Sequence, residues 1–452
     1  MSALAILLVS ALQAAADTPN VEHLIVAPRA FVETLAPFAE FRASHSPHLK
    51  GSAIVALEDA IAAEEGRDDA ERLKRYLYRR HRDDGVRSCL LVGDCDVMPM
   101  RSMTLDRATA PAFHWAFYPC DLYYGDVAKA DGSFDDWNAG NAGFHARYFG
   151  EVHGETIKTG PINFDQVDYR PEIAIGRWPA SNADEARAMA EKTMAYERAL
   201  DVAAADAKPV VAFFAVGGWV DVRDRVRGFG ARLKGRADVR LFVHDSEGEP
   251  KPDETAMRAT LASAPRFVFH SGHGQPWGWE QCLRAETFEG IDVGGALPIL
   301  MSAGCSTSEV MTQAPYQPYD DVYGVPHAGT NAGEVFTSPP PAPNVYQRGA
   351  HNTTSLAEAL LRKPHAGAVA TIGCVTGSQP AAVSLMDGFT EALASGAPTL
   401  GDCWRHAITR YCEIERLDTL VPTPDWYPPS VYFQGMKFVV LGDPGLRTGL
   451  TN

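Results

Sequence analysis

Short apolar, β-branched runs alternate with amphipathic stretches along nearly the whole chain, and this alternation constrains the fold more than any other feature of the sequence. A strand, a helix and a second strand in succession build a crossover unit, so the chain reads as α/β with mostly parallel, doubly wound sheets. In the first half, strands are expected at His23–Ala27, Ser52–Ala56, Cys89–Val92 and Ile173–Ile175, and helices over Phe31–Phe41, Asp68–Arg82 and about Asn182–Leu200. The helix over Asp68–Arg82 opens with acids and closes with Arg79, Arg80 and Arg82, which suits the helix dipole, and Leu73, Tyr76 and Leu77 share one face. The second half repeats the pattern with strands at Pro209–Val216, Val239–Val243, Arg266–His270, Leu297–Met301, Ala366–Gly373 and Phe438–Leu441.

At ~100–200 residues per domain, a chain of 452 residues has room for two such units. The expected division is a leader over 1–16, an N-terminal α/β subdomain over 17–205 and a C-terminal α/β subdomain over 206–452, with the joint near Ala203–Lys208. An insert over 306–354 interrupts the second. There Thr330-Asn331-Ala332-Gly333 and the proline-rich run Ser338 to Pro343 cannot continue a helix or a central strand, so a long surface loop is expected.

The leader is a nearly uncharged apolar run from Ala3 that ends Ala14-Ala15-Ala16 before Asp17, the pattern of a signal peptide cleaved after Ala16. It predicts export, whether secreted, periplasmic or at the cell surface; a buried N-terminal helix is the other reading. The run is too short to span a bilayer, which takes ~20 apolar residues, and later stretches of that length all carry charges, so the mature chain is expected to have no transmembrane segment. Lys plus Arg number 41 against 57 Asp plus Glu, a net charge of −16 that repels phosphate backbones and argues against a nucleic-acid partner. Eight cysteines without a CxxC pair give neither a disulfide scaffold nor a structural zinc site, and Cys403 and Cys412, nine apart on one helix, face opposite ways.

The chemistry concentrates in two places with one design. Phe267-Val268-Phe269-His270-Ser271-Gly272-His273-Gly274 is a buried strand running into a glycine-flanked histidine, and Leu297 to Cys305 is a second strand ending in a cysteine. Consecutive parallel strands put His273 and Cys305 at one carboxyl edge, where the active sites of open α/β sheets collect. A thiol held near a base on two rigid supports is what nucleophilic catalysis requires. The amides of Gly274 and Cys305 are natural donors to the oxyanion of acyl transfer. A metal site built from His270 and His273 is a rival reading, weakened because i, i+3 spacing at a strand end splays the rings.

These residues, together with Leu90-Leu91-Val92-Gly93-Asp94, Asp121-Leu122-Tyr123-Tyr124, Ala174-Ile175-Gly176-Arg177-Trp178-Pro179, Glu191-Lys192, Ser355 to Leu360 and Leu441-Gly442-Asp443-Pro444, resemble in order the recurring blocks of the gingipain-type cysteine peptidases, relatives of caspases and legumains. The resemblance runs from roughly His23 to Leu446 and implies two consecutive α/β subdomains and a cysteine endopeptidase acting on protein or peptide substrates. By that resemblance Cys305 is the nucleophile and His273 the base, no cofactor is needed for catalysis, and an acid in the first subsite selects Arg or Lys. Asp221 is the first candidate for that acid and Asp224 the second; each is equally well read as a solvated acid at a helix start. Three departures stand out. Val216 occupies the place of the acid that orients the histidine before Gly217-Gly218, and the stretch Val375 to Gln379 lacks the tryptophan that covers a basic side chain, leaving Trp277 or Trp279 to substitute. The third is the long insert, which is expected to overhang the nucleophile.

The irregular segment with Asp121, Asp126, Asp131, Asp135, Asp136, Asn138 and Asn141 concentrates hard oxygen ligands. It reads either as a structural calcium site, with Asp121, Asp131 and Asp135 as its leading ligands, or as an ordinary solvated acidic loop. The rival from another functional class is a non-catalytic exported binding protein that keeps the fold. The sequence leaves the oligomeric state open.

Overall fold

The structure is a computed structural model describing residues 21–104, 116–137, 167–203, 207–338, 340–347, 355–420 and 434–450. The leader and Asn138 and Asn141 lie outside them. The first half supplies strands β1 (His23–Ala27), β2 (Ser52–Ala56), β3 (Ser88–Val92), the short pair β4 (Ser102–Thr104) and β5 (Phe117–Pro119), and β6 (Ala174–Trp178). The second supplies β7 (Val210–Ala215), β8 (Asp238–Val243), β9 (Phe267–Ser271), a ribbon of β10 (Gly274–Gln275), β11 (Gly278–Trp279) and β12 (Leu283–Arg284), then β13 (Ile299–Ser302), β14 (Tyr319–Asp320), β15 (Pro326–His327), β16 (Ala370–Cys374) and β17 (Phe438–Leu441).

Ten of these strands form one sheet in the order β2-β1-β3-β6-β17-β16-β13-β9-β7-β8. Pairing is parallel from β2 through β17 and parallel from β16 through β8. The two blocks meet at the antiparallel seam β16–β17, with Thr371 opposite Leu441 and Cys374 opposite Phe438. The five strands of one block therefore point opposite to the five of the other, and the two carboxyl edges lie on opposite sides of the sheet. The last strand in sequence, β17, belongs to the first block and starts at the carboxyl edge of the second.

Period-2 alternation buries both faces. Val211, Phe213 and Ala215 pack into one apolar core, and Ala212, Phe214 and Val216 into the other. Helices run over Arg29–His45, Asp69–Asp84 and Ala183–Asp201, the first clearly longer than the sequence pattern implies and the other two within two residues of it at each end. Asp68 and Asn182 sit just outside as N-caps, accepting from the Glu71 and Glu185 amides. The expected strand Ala366–Gly373 begins only at Ala370, because Gly367 takes φ +80° in a turn pressed against Leu360.

Ion pairs fasten the C-terminal segment after β17 to the helices of the first half. Arg42 bonds Glu197 at 2.9 Å and also Asp443, which follows β17, and Arg447 bonds Glu197 as well. Lys192 donates to the carbonyls of Leu360, Leu361, Lys363 and Ala366 at 2.7, 2.8, 3.1 and 3.0 Å, capping the helix Leu356–Arg362 with a charge from the first half.

The described residues of the insert bond to the loops after β16 and β3. After Cys305 the chain turns back, the amides of Ser306 and Ser308 donating to the carbonyls of Thr376 and Cys374. It then settles on the loop after β3: the Cys95 thiol bonds the Val310 carbonyl at 3.3 Å, and the Gln347 and Met100 amides donate to Cys95 and Val345 carbonyls at 2.9 and 2.7 Å. Its described residues thus start at the loop after β16, where Gln313 Nε2 also donates to the Val375 carbonyl at 2.7 Å, and run on to the loop after β3.

Candidate active site

His273 and Cys305 leave the sheet from neighbouring strands in matched register. Ser302 of β13 lies opposite His270 of β9, and the ladder continues with the Ala303 amide bonding the His270 carbonyl at 2.9 Å, so the residues three further along each strand are His273 and Cys305. His273 is exposed and Cys305 half-buried.

Glycine permits this arrangement by close approach. A Cβ on Gly304 would come within 2.9 Å of the Gly274 nitrogen, and one on Gly274 within 2.4 Å of the Thr307 methyl and 2.7 Å of the Cys305 carbonyl oxygen. Neither adopts positive φ, so the requirement is space between two loops rather than a left-handed turn. Gly274 is a non-hydrogen-bonded position of the β10–β11 ribbon, flanked by the Glu280 amide bond to the His273 carbonyl, so its own N–H turns away from the ribbon.

The imidazole is held from the loop after β7. His273 Nε2 donates to the Gly218 carbonyl at 2.7 Å; a carbonyl only accepts, which fixes the proton on Nε2 and leaves Nδ1 as the basic nitrogen. Val216 is buried against Gly272 and takes no part. A backbone oxygen therefore stands where an acid was sought.

Around the sulfur, the Ser378 amide donates to Cys305 Sγ at 3.3 Å. All eight cysteines are free, and the other seven are buried. Burial pushes the thiols of Cys120, Cys374 and Cys412 up to about 12 and raises those of Cys89, Cys95, Cys282 and Cys403. The one thiol with access to solvent is the one at the strand end.

Other expected site residues fare differently. His270 is fully buried, bonded to Ser302 Oγ at 2.8 Å and stacked on Trp279 with centroids 4.7 Å apart, and burial holds its imidazole neutral, down to about 3. Strand alternation sends His270 and His273 to opposite sides, so the metal pair does not form. Trp279 is spent in the same stack and covers no substrate. Trp277, by contrast, is 66% exposed at the tip of the ribbon. Asp221 stands in the loop after β7, paired with Arg223 at 2.7 Å, its carboxyl held below the usual range by that hydrogen bond, and Asp224 is an exposed partner of Arg227.

The acidic segment is dispersed. Asp121 makes a bidentate pair with buried Arg177 at 2.7 Å on both arms, Asp131 closes a turn onto Ser133, and Asp135 lies buried near Lys74. Among the described residues no three His, Cys, Asp or Glu side chains are grouped to hold a metal ion, and no helix is long and apolar enough to cross a membrane.

Sequence reasoning missed Gly218, Ser378 and Gln434. The first acts through its carbonyl and the second through its amide, which side-chain motifs cannot show, and Gln434 arrives only through the antiparallel seam.

This α/β fold ends two neighbouring parallel strands in a half-buried thiol and an exposed imidazole. The model of peptidase family C25 matches residues 16–449. The chain belongs to that family and is a cysteine-type peptidase, a hydrolase whose substrates are peptides or proteins. Solved structures of similar fold include gingipain R, described as an Arg-specific cysteine proteinase, with TM-score 0.60 at 13% identity over 95% of this chain and 79% of that one. Another is the complex of pro- and mature domains of RgpB from Porphyromonas gingivalis, with TM-score 0.57 at 14% identity over 94% and 79%. No curated protein matches by sequence.

Proposed function

We propose that the chain is an exported endopeptidase that cuts peptide bonds through Cys305 and His273. The observation that carries this reading is the matched register of β9 and β13, which sets the solvent-accessible thiol beside an imidazole whose Nε2 proton is fixed on Gly218. His273 Nδ1 takes the thiol proton, and Cys305 Sγ attacks the scissile carbonyl carbon. The π electrons move to the oxygen, which the Gly274 and Cys305 amides receive. The intermediate collapses as the C–N bond breaks and His273 returns the proton to the leaving amine. Water, deprotonated by His273, then attacks the thioester, releasing the acid and the thiol. Cleavage after Arg or Lys is the specificity we assign. Its support is Asp221, two residues beyond Trp219 in the loop that holds His273, where a substrate cation would compete with Arg223 for the carboxylate, and Trp277, exposed at the ribbon tip, would cover the substrate chain. Export rests on the apolar run Ala3–Ala16.

The test is labelling of the mature protein with peptidyl acyloxymethyl ketones, read by intact mass against Cys305→Ala. A single adduct with Arg or Lys probes that vanishes in the variant supports the whole reading. Labelling only by Asp, Asn or apolar probes removes Asp221 as selector and keeps the peptidase. Silence from every probe on folded protein overturns the nucleophile and favours a binding protein.

A further inference from the structure

We propose that Gln434 is a positioning residue whose side chain holds the Ser378 amide against the Cys305 sulfur. The inference rests on the reading of Cys305 as nucleophile. The chain of contacts is continuous. Ser378 N–H reaches Sγ at 3.3 Å, and Ser378 Oγ donates to the Ala303 carbonyl at 2.7 Å, so the same residue grips both the sulfur and the strand end that carries it. Donating there leaves Ser378 Oγ free only to accept, and Gln434 Nε2 donates to it at 3.1 Å. Gln434 Oε1 accepts from the next amide, Gln379 N–H, at 2.9 Å. One primary amide thus ties two consecutive residues of the loop, using a donor and an acceptor at once.

The loop needs that tie. Its middle residue, Gly377, has open space where a Cβ would be, and the segment has left β16 at Cys374. Gln434 is fully buried and Ser378 nearly so, which makes their hydrogen bonds costly to leave unmade. The antiparallel seam explains how a residue so remote in sequence arrives there. Because β17 alone starts where β16 ends, its approach segment lies at the catalytic edge, fixed by the Val375 amide on the Lys437 carbonyl at 2.8 Å. A fixed N–H aimed at sulfur favours the charged form of the thiol over the neutral one, as hydrogen bonds to thiolates do in general.

The experiment uses the full mature chain and follows alkylation of Cys305 by iodoacetamide across pH, read by intact mass, beside kcat/KM on a peptide substrate. Gln434→Leu is expected to lower the neutral-pH alkylation rate ~5–10-fold, the worth of about one neutral hydrogen bond, and to move the rising limb to higher pH. Gln434→Glu, which keeps the acceptor for Gln379 and loses the donor to Ser378, should fall between. If Gln434→Leu does not fold by circular dichroism, Ser378→Ala removes the same anchor at a gentler site and should move the limb the same way. A folded variant of either residue with the wild-type profile overturns the proposal while leaving Cys305 as nucleophile. Hydrolysis that survives Cys305→Ala overturns both.

Discussion

At the carboxyl edge of the first block, charge is plentiful and satisfied: Arg177 is buried on Asp121 and on the Gly93 carbonyl, and Asp94 meets Arg362 at 2.8 Å. At the carboxyl edge of the second block the charged pairs lie at the surface, Asp221 with Arg223 and Asp224 with Arg227, while Gly272, Gly274 and Gly304 press two loops together and an exposed imidazole and a half-buried thiol end neighbouring strands. Both edges come from parallel strands with crossovers and both offer the crevice such sheets create. What differs is whether the ion pairs are buried or lie at the surface beside groups that face water. The first arrangement spends its charges on holding loops, including the insert; the second keeps its groups available to a substrate.

The comparison breaks most visibly at Arg177. Arg177→Met leaves Asp121 buried without its partner and is expected to cost ~3–5 kcal/mol, read as a lower urea midpoint at unchanged slope. Cys305→Ala should leave that midpoint within ~0.5 kcal/mol of the parent. Equal midpoints for Arg177→Met and parent would mean that the first edge is not a structural clamp.

The reverse pattern is expected at Gly274. The added methyl of Gly274→Ala meets the Thr307 methyl at 2.4 Å and the Cys305 carbonyl at 2.7 Å, so the loops must part and the Gly274 amide moves off its target. Loss of one oxyanion donor predicts a fall of ~10²-fold in kcat/KM. Unchanged kcat/KM would remove Gly274 from the mechanism.

The same contrast explains what the sequence disclosed. The strand-terminal His273 and Cys305 were legible because two apolar runs each end in a glycine-framed reactive residue, and parallel pairing allows few other placements. Most of the recurring blocks turned out to describe the clamp: Arg177 with Asp121, Asp94 with Arg362, Lys192 on a helix end, Asp443 on Arg42. Motif density thus marks buried charge as readily as chemistry. Two features stayed hidden for a physical reason. Backbone donors and acceptors such as Gly218 O and Ser378 N carry no residue signature, and the reversal at β16–β17 depends on which of ten similar apolar runs pairs last. The described insert, adjacent to Cys305 in sequence, accordingly runs from the loop after β16 to the loop after β3.

Lys192 sharpens the comparison at the joint between halves. Lys192→Met removes the amine whose N–H donors serve four carbonyls at and just beyond the end of the helix Leu356–Arg362. Unfolding should be easier by ~1.5–3 kcal/mol, with kcat/KM changed far less than in Gly274→Ala. A Lys192→Met midpoint equal to the parent's would show that water serves those carbonyls as well.

The smallest effect is a pH dependence confined to the insert. His327 Nδ1 meets Glu334 at 2.7 Å and Nε2 meets Asp321 at 3.1 Å, an arrangement in which both ring nitrogens donate only when the imidazole is protonated. Burial pulls its pKa down, but the hydrogen bonds to Glu334 and Asp321 outweigh that and raise it above the ordinary histidine value. A raised folded value means that the stabilisation is fully present below about 6.5, the unfolded value, and is lost as pH rises through the folded one. Amide exchange at Gly329, whose N–H bonds Glu334 at 2.9 Å, should therefore quicken on the alkaline side beyond the intrinsic rise, and His327→Gln should abolish the excess. In a Cys305→Ala background the insert should also become easier to nick by an added protease over that range. Because the insert runs on to the loop after β3, alkylation of Cys305 should show no matching step; a step shared by the two probes would mean that the edges are coupled through the segment from Ser306 to Val310.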